Sequence, residues 1–95
     1  MPDDPPAFEG FAKRSRAAGY NDVVERVWPP ATIVDTHTHP FALHALVVRG
    51  EMWLTAAGTE RHLVPGDEFS LECDEPHAER YGEAGATYWV ARRNR

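Results

Sequence analysis

The chain has 95 residues with fifteen acidic and ten basic side chains, a formal net charge of −5 and one cysteine. This length allows one domain with a core near the lower limit of unaided folding, and the lone Cys73 excludes an intramolecular disulfide, so packing, a metal or oligomerisation must supply stability. Scattered arginines on an acidic chain argue against a nucleic-acid partner, and no apolar run nears the ~20 residues that span a bilayer, which argues against a membrane partner.

Residues 1–6 hold three prolines and two aspartates, a composition that predicts disorder. The same stretch lacks the basic, then apolar pattern of a signal peptide, and with a lone cysteine the expectation is a cytoplasmic protein. Over residues 7–19, Phe8, Phe11, Ala12 and Ala18 fall near a 3.6-residue period opposite Glu9, Lys13, Arg14 and Arg16, and Gly19 provides a stop. So short a helix does not hold in water by itself, so its phenylalanines must cover the outside of a sheet or a partner subunit.

Residues 20–95 read as β throughout. Strands are expected over 23–28, 32–39, 44–57, 60–64, 68–72, 77–81 and 87–92, with Gly50 marking a bulge or close backbone approach within the third. Pro29-Pro30, Pro40, Ala57-Gly58-Thr59, Pro65-Gly66-Asp67, Cys73-Asp74-Glu75-Pro76 and Gly82-Glu83-Ala84-Gly85 separate them. Seven short strands with turn signals between them predict an all-β sandwich or barrel. Arg92, Arg93 and Arg95 read as a solvated tail.

Four of the five histidines lie in two places, His37, His39 and His44 in one and His77 in the other. Side chains alternate along a strand, so His37 and His39 share a face with Cα atoms ~7 Å apart, close enough to converge on one ion. Ile33 and Asp35 share that face. His44 lies an odd number of positions beyond His39, but Pro40 breaks the strand and lets the chain bring His44 in from a neighbour. His77, opening a later strand, closes the set only if the sheet curls back on itself. His62, single and in a charged hairpin, reads as a surface histidine.

The histidines, with Gly50 and Pro65-Gly66-Asp67…Pro76-His77, resemble the two motifs of the cupins, G(x)5HxH(x)3-4E(x)6G and G(x)5PxG(x)2H(x)3N. The likeness covers about residues 32–92. It departs in three places: His44 stands where the family has glutamate, Ala31 and Thr32 occupy the neighbourhood of the first motif's leading glycine, and Glu72-Cys73-Asp74 replaces the PxG turn.

The resemblance implies a jelly-roll (double-stranded β-helix) cupin barrel with a short N-terminal helix. A four-histidine site of His37, His39, His44 and His77 would hold a divalent transition metal, with zinc, nickel, iron and copper as the ions that imidazole suits. With His44 pointing inward, alternation adds Leu46, Val48, Met52 and Leu54 to the same lining, and His77 adds Glu79 and Tyr81, with Phe69 and Leu71 nearby. Trp53 and Val47 then face out and need cover from the helix or a second subunit, in keeping with a homodimer. The implied function is action on a small oxygen-rich molecule by dioxygenase-, isomerase- or decarboxylase-like chemistry, with Glu79 or Tyr81 as acid or base. The alternative is a non-catalytic module that binds a small ligand or a metal.

Overall fold

The computed structural model describes residues 8–93. The stretch 1–6, residue 7 of the expected helix and Arg95 lie outside it. The elements are α1 (Phe8–Ala17), β1 (Asp22–Trp28), β2 (Ile33–His37), β3 (Ala42–Ala56), β4 (Thr59–Leu63), β5 (Glu68–Leu71) and β6 (His77–Arg93).

Every strand pairing is antiparallel, and two long strands organise them all. β3 and β6 pair with each other from Ala42↔Arg93 to Ala56↔His77. β1 flanks the C-terminal part of β6, and β5 flanks the N-terminal part of β3. β2 and β4 flank the other halves of the same two strands. One four-strand layer, β1-β6-β3-β5, therefore bends into a second, β2-β6-β3-β4, and the interior lies between them. This is a jelly-roll barrel, as expected.

The bend is where sequence alternation fails. On β3 the register shifts between Val47 and Arg49 and again between Gly50 and Met52. Val47 and Met52, five positions apart, both face the interior and have no exposed surface. An odd spacing means that the strand changes phase at the bulge. Leu43, Ala45 and Val47 thus point inward before it, and Met52 and Leu54 after it. β6 does the same between Tyr81 and Ala86. The expected turn at Gly82-Glu83-Ala84-Gly85 is instead an irregularity within β6, so six strands form rather than seven.

Leu46 and Val48, expected inside, pack on the outer face with the helix, and Val47, expected outside, is core. Met52, Leu54, Phe69 and Leu71 are core as expected. The crossing needs glycine. A Cβ on Gly50 (φ 72°) would lie 2.1 Å from the Gly85 carbonyl oxygen, and one on Gly85 (φ 72°) would lie 2.3 Å from that of Trp28.

α1 docks on the outside of the β1-β6-β3-β5 layer. Phe11 and Ala12 are buried with Val23, Leu46, Trp89 and Ala91, and the Phe8 ring meets Trp89 edge-on at 5.5 Å. Burial of Phe11 alone is worth about 2 kcal/mol. Gly19, at φ 101°, closes the helix with its N–H on the Arg16 carbonyl. Arg92 and Arg93 are not a free tail: Arg92 pairs with Asp22, and Arg93 lies 4.7 Å over the Tyr20 ring. Trp53 does face out, but its cover comes from its own chain, with Arg80 at 4.1 Å and the stacked His62 ring at 4.6 Å.

Candidate metal centre

His37 ends β2 and His77 begins β6, and the two are direct cross-strand partners. His39 lies just past β2. Its carbonyl accepts the Asp74 N–H at 2.8 Å, and its ring stacks on Phe41 at 4.9 Å. The three rings therefore meet at one end of the barrel, with centroids 4.8 Å (His37–His39), 4.3 Å (His37–His77) and 5.1 Å (His39–His77) apart. One ring nitrogen from each lies within 4.8 Å of the other two, and this is the group among the described residues whose geometry suits an ion.

Two residues hold the backbone conformation that brings these histidines together. Ala31, six positions before His37, has φ 58°, and its N–H donates to the Gly82 carbonyl at 2.9 Å. Asp74, three before His77, has φ 62°. These are the positions of the motif glycines that the sequence lacks. The left-handed conformation is retained, carried by a small residue at one site and at the other by aspartate, which tolerates it better than most.

The hydrogen bonds fix the state of two rings. His37 Nδ1 lies 2.8 Å from the Asp35 carbonyl oxygen, and His77 Nδ1 lies 3.0 Å from that of Glu75. A carbonyl only accepts, so each Nδ1 carries a proton, and in the neutral ring the lone pair is left on Nε2. His77 Nε2 is buried without a hydrogen-bond partner. The residue facing it is Glu79, whose Oε2 lies 3.3 Å from His77 Nε2 and 3.8 Å from His37 Nε2. The other carboxylate oxygen accepts the Tyr81 hydroxyl. With the rings neutral, two Nε2 lone pairs and a carboxylate oxygen converge here, an arrangement that suits a cation in the middle.

Burial, followed by the neighbouring charges of His37 and His77, pushes His39 below the ordinary imidazole range, while Glu79 opposes the shift and Arg26 adds to it. Burial raises Tyr81 well above the usual phenol range and Tyr88 above it, and the Tyr81 hydroxyl donates to Glu79. Trp28 completes this wall. Its ring stacks on Tyr81 at 5.1 Å, and its Nε1 donates to the Tyr88 hydroxyl at 3.2 Å.

His44 does not join the set. It precedes the β3 bulge, where even-numbered residues face out, and it stacks on Phe11 of α1 with centroids 6.3 Å apart. Its Nε2 donates to Glu68 at 2.6 Å, and its Nδ1 pairs with the Ser70 hydroxyl at 2.7 Å. The four-histidine expectation is therefore corrected to three. The carboxylate that faces the three rings stands two residues after His77, in Glu79. His62 is exposed in its hairpin, bonded to Glu51 at 2.6 Å. Asp35 serves the site through its backbone carbonyl.

No family model matches the sequence, and no curated protein matches it. Solved structures do. An RmlC-like cupin from Shewanella frigidimarina superposes with a TM-score of 0.69 at 19% identity, over 81% of this chain and 69% of that one. The chain has the fold of a cupin domain. A Bacillus subtilis oxalate decarboxylase with Mn(II) centres matches this cupin fold with a TM-score of 0.71 at 21% identity, over 83% of this chain and 22% of that one. The DMSP lyase DddQ from Ruegeria pomeroyi matches at 27% identity with a TM-score of 0.65, covering 76% of this chain and 36% of that one. The present chain therefore spans about a third of the lyase and under a quarter of the decarboxylase. Among the described residues, no helix is long and apolar enough to cross a membrane.

Proposed function

We propose that this cupin binds a divalent transition metal through His37, His39 and His77, with Glu79 as an anionic fourth donor, and acts there on a small oxygen-rich molecule. The observation that carries this reading is the unpartnered, buried Nε2 of His77 facing the Glu79 carboxylate at 3.3 Å. Three imidazoles and one carboxylate suit manganese and iron as well as zinc, nickel and copper. When bound, the ion supplies Lewis acidity toward an oxygen of the small molecule. The chain's own residues do the rest: the carbonyls of Asp35 and Glu75 hold the tautomers of His37 and His77, Phe41 sets the plane of His39, and the protonated Tyr81 holds Glu79 in place. The likeness to a decarboxylase with Mn(II) centres supports the metal. We further propose a homodimer, supported by the exposed apolar side chains of Val27 and Ile33, 68% and 74% accessible, on two edge strands.

Elemental analysis of tag-free protein tests the site. Wild type is expected to carry metal and the His37→Ala/His77→Ala variant to lose it, and equal content in the two would refute the shared site. Oxygen consumption with a panel of diketones, phenols and thiols then separates an enzyme from a binding module, which silence across the panel would favour. Light scattering at micromolar concentration tests the dimer, and a monomeric mass removes it.

A further inference from the structure

β5 alternates between the two faces of its layer: Phe69 and Leu71 are core, so Glu68 and Ser70 face out. His44, on β3 before the bulge, also faces out and is the direct cross-strand partner of Ser70. The three side chains are joined in one line. The Ser70 hydroxyl lies 2.7 Å from His44 Nδ1, and His44 Nε2 lies 2.6 Å from Glu68 Oε1. An ionised carboxylate only accepts, so the proton of the neutral ring is on Nε2, and the Nδ1 lone pair receives the Ser70 hydroxyl. An imidazole with no nitrogen left for an ion is thereby held as a base against a serine. Beside this line, His44 and Glu68 border a cavity of about 220 Å³ together with Phe11, Arg14 and Tyr20. The rings of Phe11 and Tyr20, with centroids 6.3 and 6.4 Å from that of His44, give the cavity apolar walls, and Arg14 gives it a positive charge.

A serine, an imidazole on its oxygen and a carboxylate on the far ring nitrogen are the parts of an acyl-transfer nucleophile. Here Nδ1 takes the serine and Nε2 the carboxylate, and the proton path is the same with the two nitrogens exchanged. We propose that Ser70 is a nucleophile toward small carboxylic esters, with His44 as its base and Glu68 as the positioning residue. As Ser70 Oγ bonds to the ester carbonyl carbon, its proton passes to His44 Nδ1, and the carbonyl oxygen becomes an oxyanion that the charge of Arg14 favours. The carbon–oxygen bond to the alcohol then breaks, and the alcohol leaves with the proton from Nδ1. Water attacks the acyl-serine through the same base, Ser70 regains its proton, and the carboxylic acid departs. One ester and one water become one acid and one alcohol, and none of these steps uses the three-histidine centre. The competing role for the same side chains is to tie β5 to β3, which needs no reactive serine.

A fluorophosphonate is the probe, since an activated serine displaces its fluoride and keeps the phosphorus. Digestion at arginine and mass spectrometry read the adduct on the peptide 62–80, in which Ser70 carries the one hydroxyl side chain. Wild type is expected to be labelled there and to hydrolyse para-nitrophenyl butyrate. Ser70→Ala should abolish both. His44→Ala should slow labelling about 100-fold or more, and Glu68→Gln should slow it on the order of tenfold or more. Ser70 and Glu68 are exposed and His44 half-buried, and the variants are compared below the melting transition of each. No adduct on Ser70 of wild type, equal labelling in His44→Ala, or ester hydrolysis undiminished in Ser70→Ala overturns the proposal.

Discussion

His77 and His44 are histidines on adjacent strands of one barrel, and their surroundings differ in every respect that matters to a ligand. His77 is 2% exposed at the side chain, with one nitrogen fixed by a backbone carbonyl and the other bare. His44 has both nitrogens engaged, by Glu68 and Ser70, and its ring lies on Phe11. Sequence spacing made the two look equivalent. A ligand histidine is recognised by one nitrogen held and the other left open, and a histidine outside the metal site by having neither nitrogen free.

The largest expected effect comes from the element that sets the two histidines on opposite faces. Gly50→Ala puts a Cβ into the Gly85 carbonyl at a positive φ and should cost about 3 kcal/mol, read as a lower midpoint in urea unfolding with an unchanged slope. A neutral result would mean that the bulge is not fixed there. Next, His77→Ala should lower metal affinity on the order of 100-fold or more, whereas His44→Ala should leave it unchanged and cost only about 1 kcal/mol of stability. Competition with a chelator dye measures the first difference and thermal unfolding the second. If both variants lost metal alike, the distinction drawn here would collapse.

The wall beneath His77 gives a third test. Burial raises Tyr88 above its unfolded value near 10, so the folded state favours the protonated phenol. The stability this provides is complete below pH ~10 and is lost as pH rises beyond it, by up to about 1.4 kcal/mol per pH unit. Tyr88→Phe should flatten that alkaline decline in equilibrium unfolding, and an unchanged slope would show that Tyr88 is not held in a dry wall. The smallest effect is a gain. Ala31→Gly relieves a residue at φ 58°, and should stabilise the protein by about 0.5 kcal/mol after glycine's entropic cost.

Much of this was legible in the sequence. Turn signals placed the strand boundaries within a few residues except at Gly82-Glu83-Ala84-Gly85, where β6 runs on, and His37-Thr38-His39 with Pro76-His77 marked the site because those side chains act through local spacing. Gly50 was legible as a bulge, but not its consequence, since a bulge reverses the phase of everything beyond it and only the paired strand shows where. That one reversal accounts for His44, Leu46, Val47 and Val48 together. Glu79 was legible as an inward polar group but not as the carboxylate facing His37 and His77, because those histidines come together only when β2 lies against β6. Ala31 and Asp74 carry no glycine signature, so their backbone role became visible only in their dihedral angles.

Anomalous diffraction at the absorption edge of the metal, from crystals of metal-loaded protein, tests the central claim most directly. A single peak within bonding distance of His37, His39 and His77, with Glu79 beside it and none at His44, is the predicted result. A peak bounded by His44, or occupied metal elsewhere with the three histidines left empty, would contradict it.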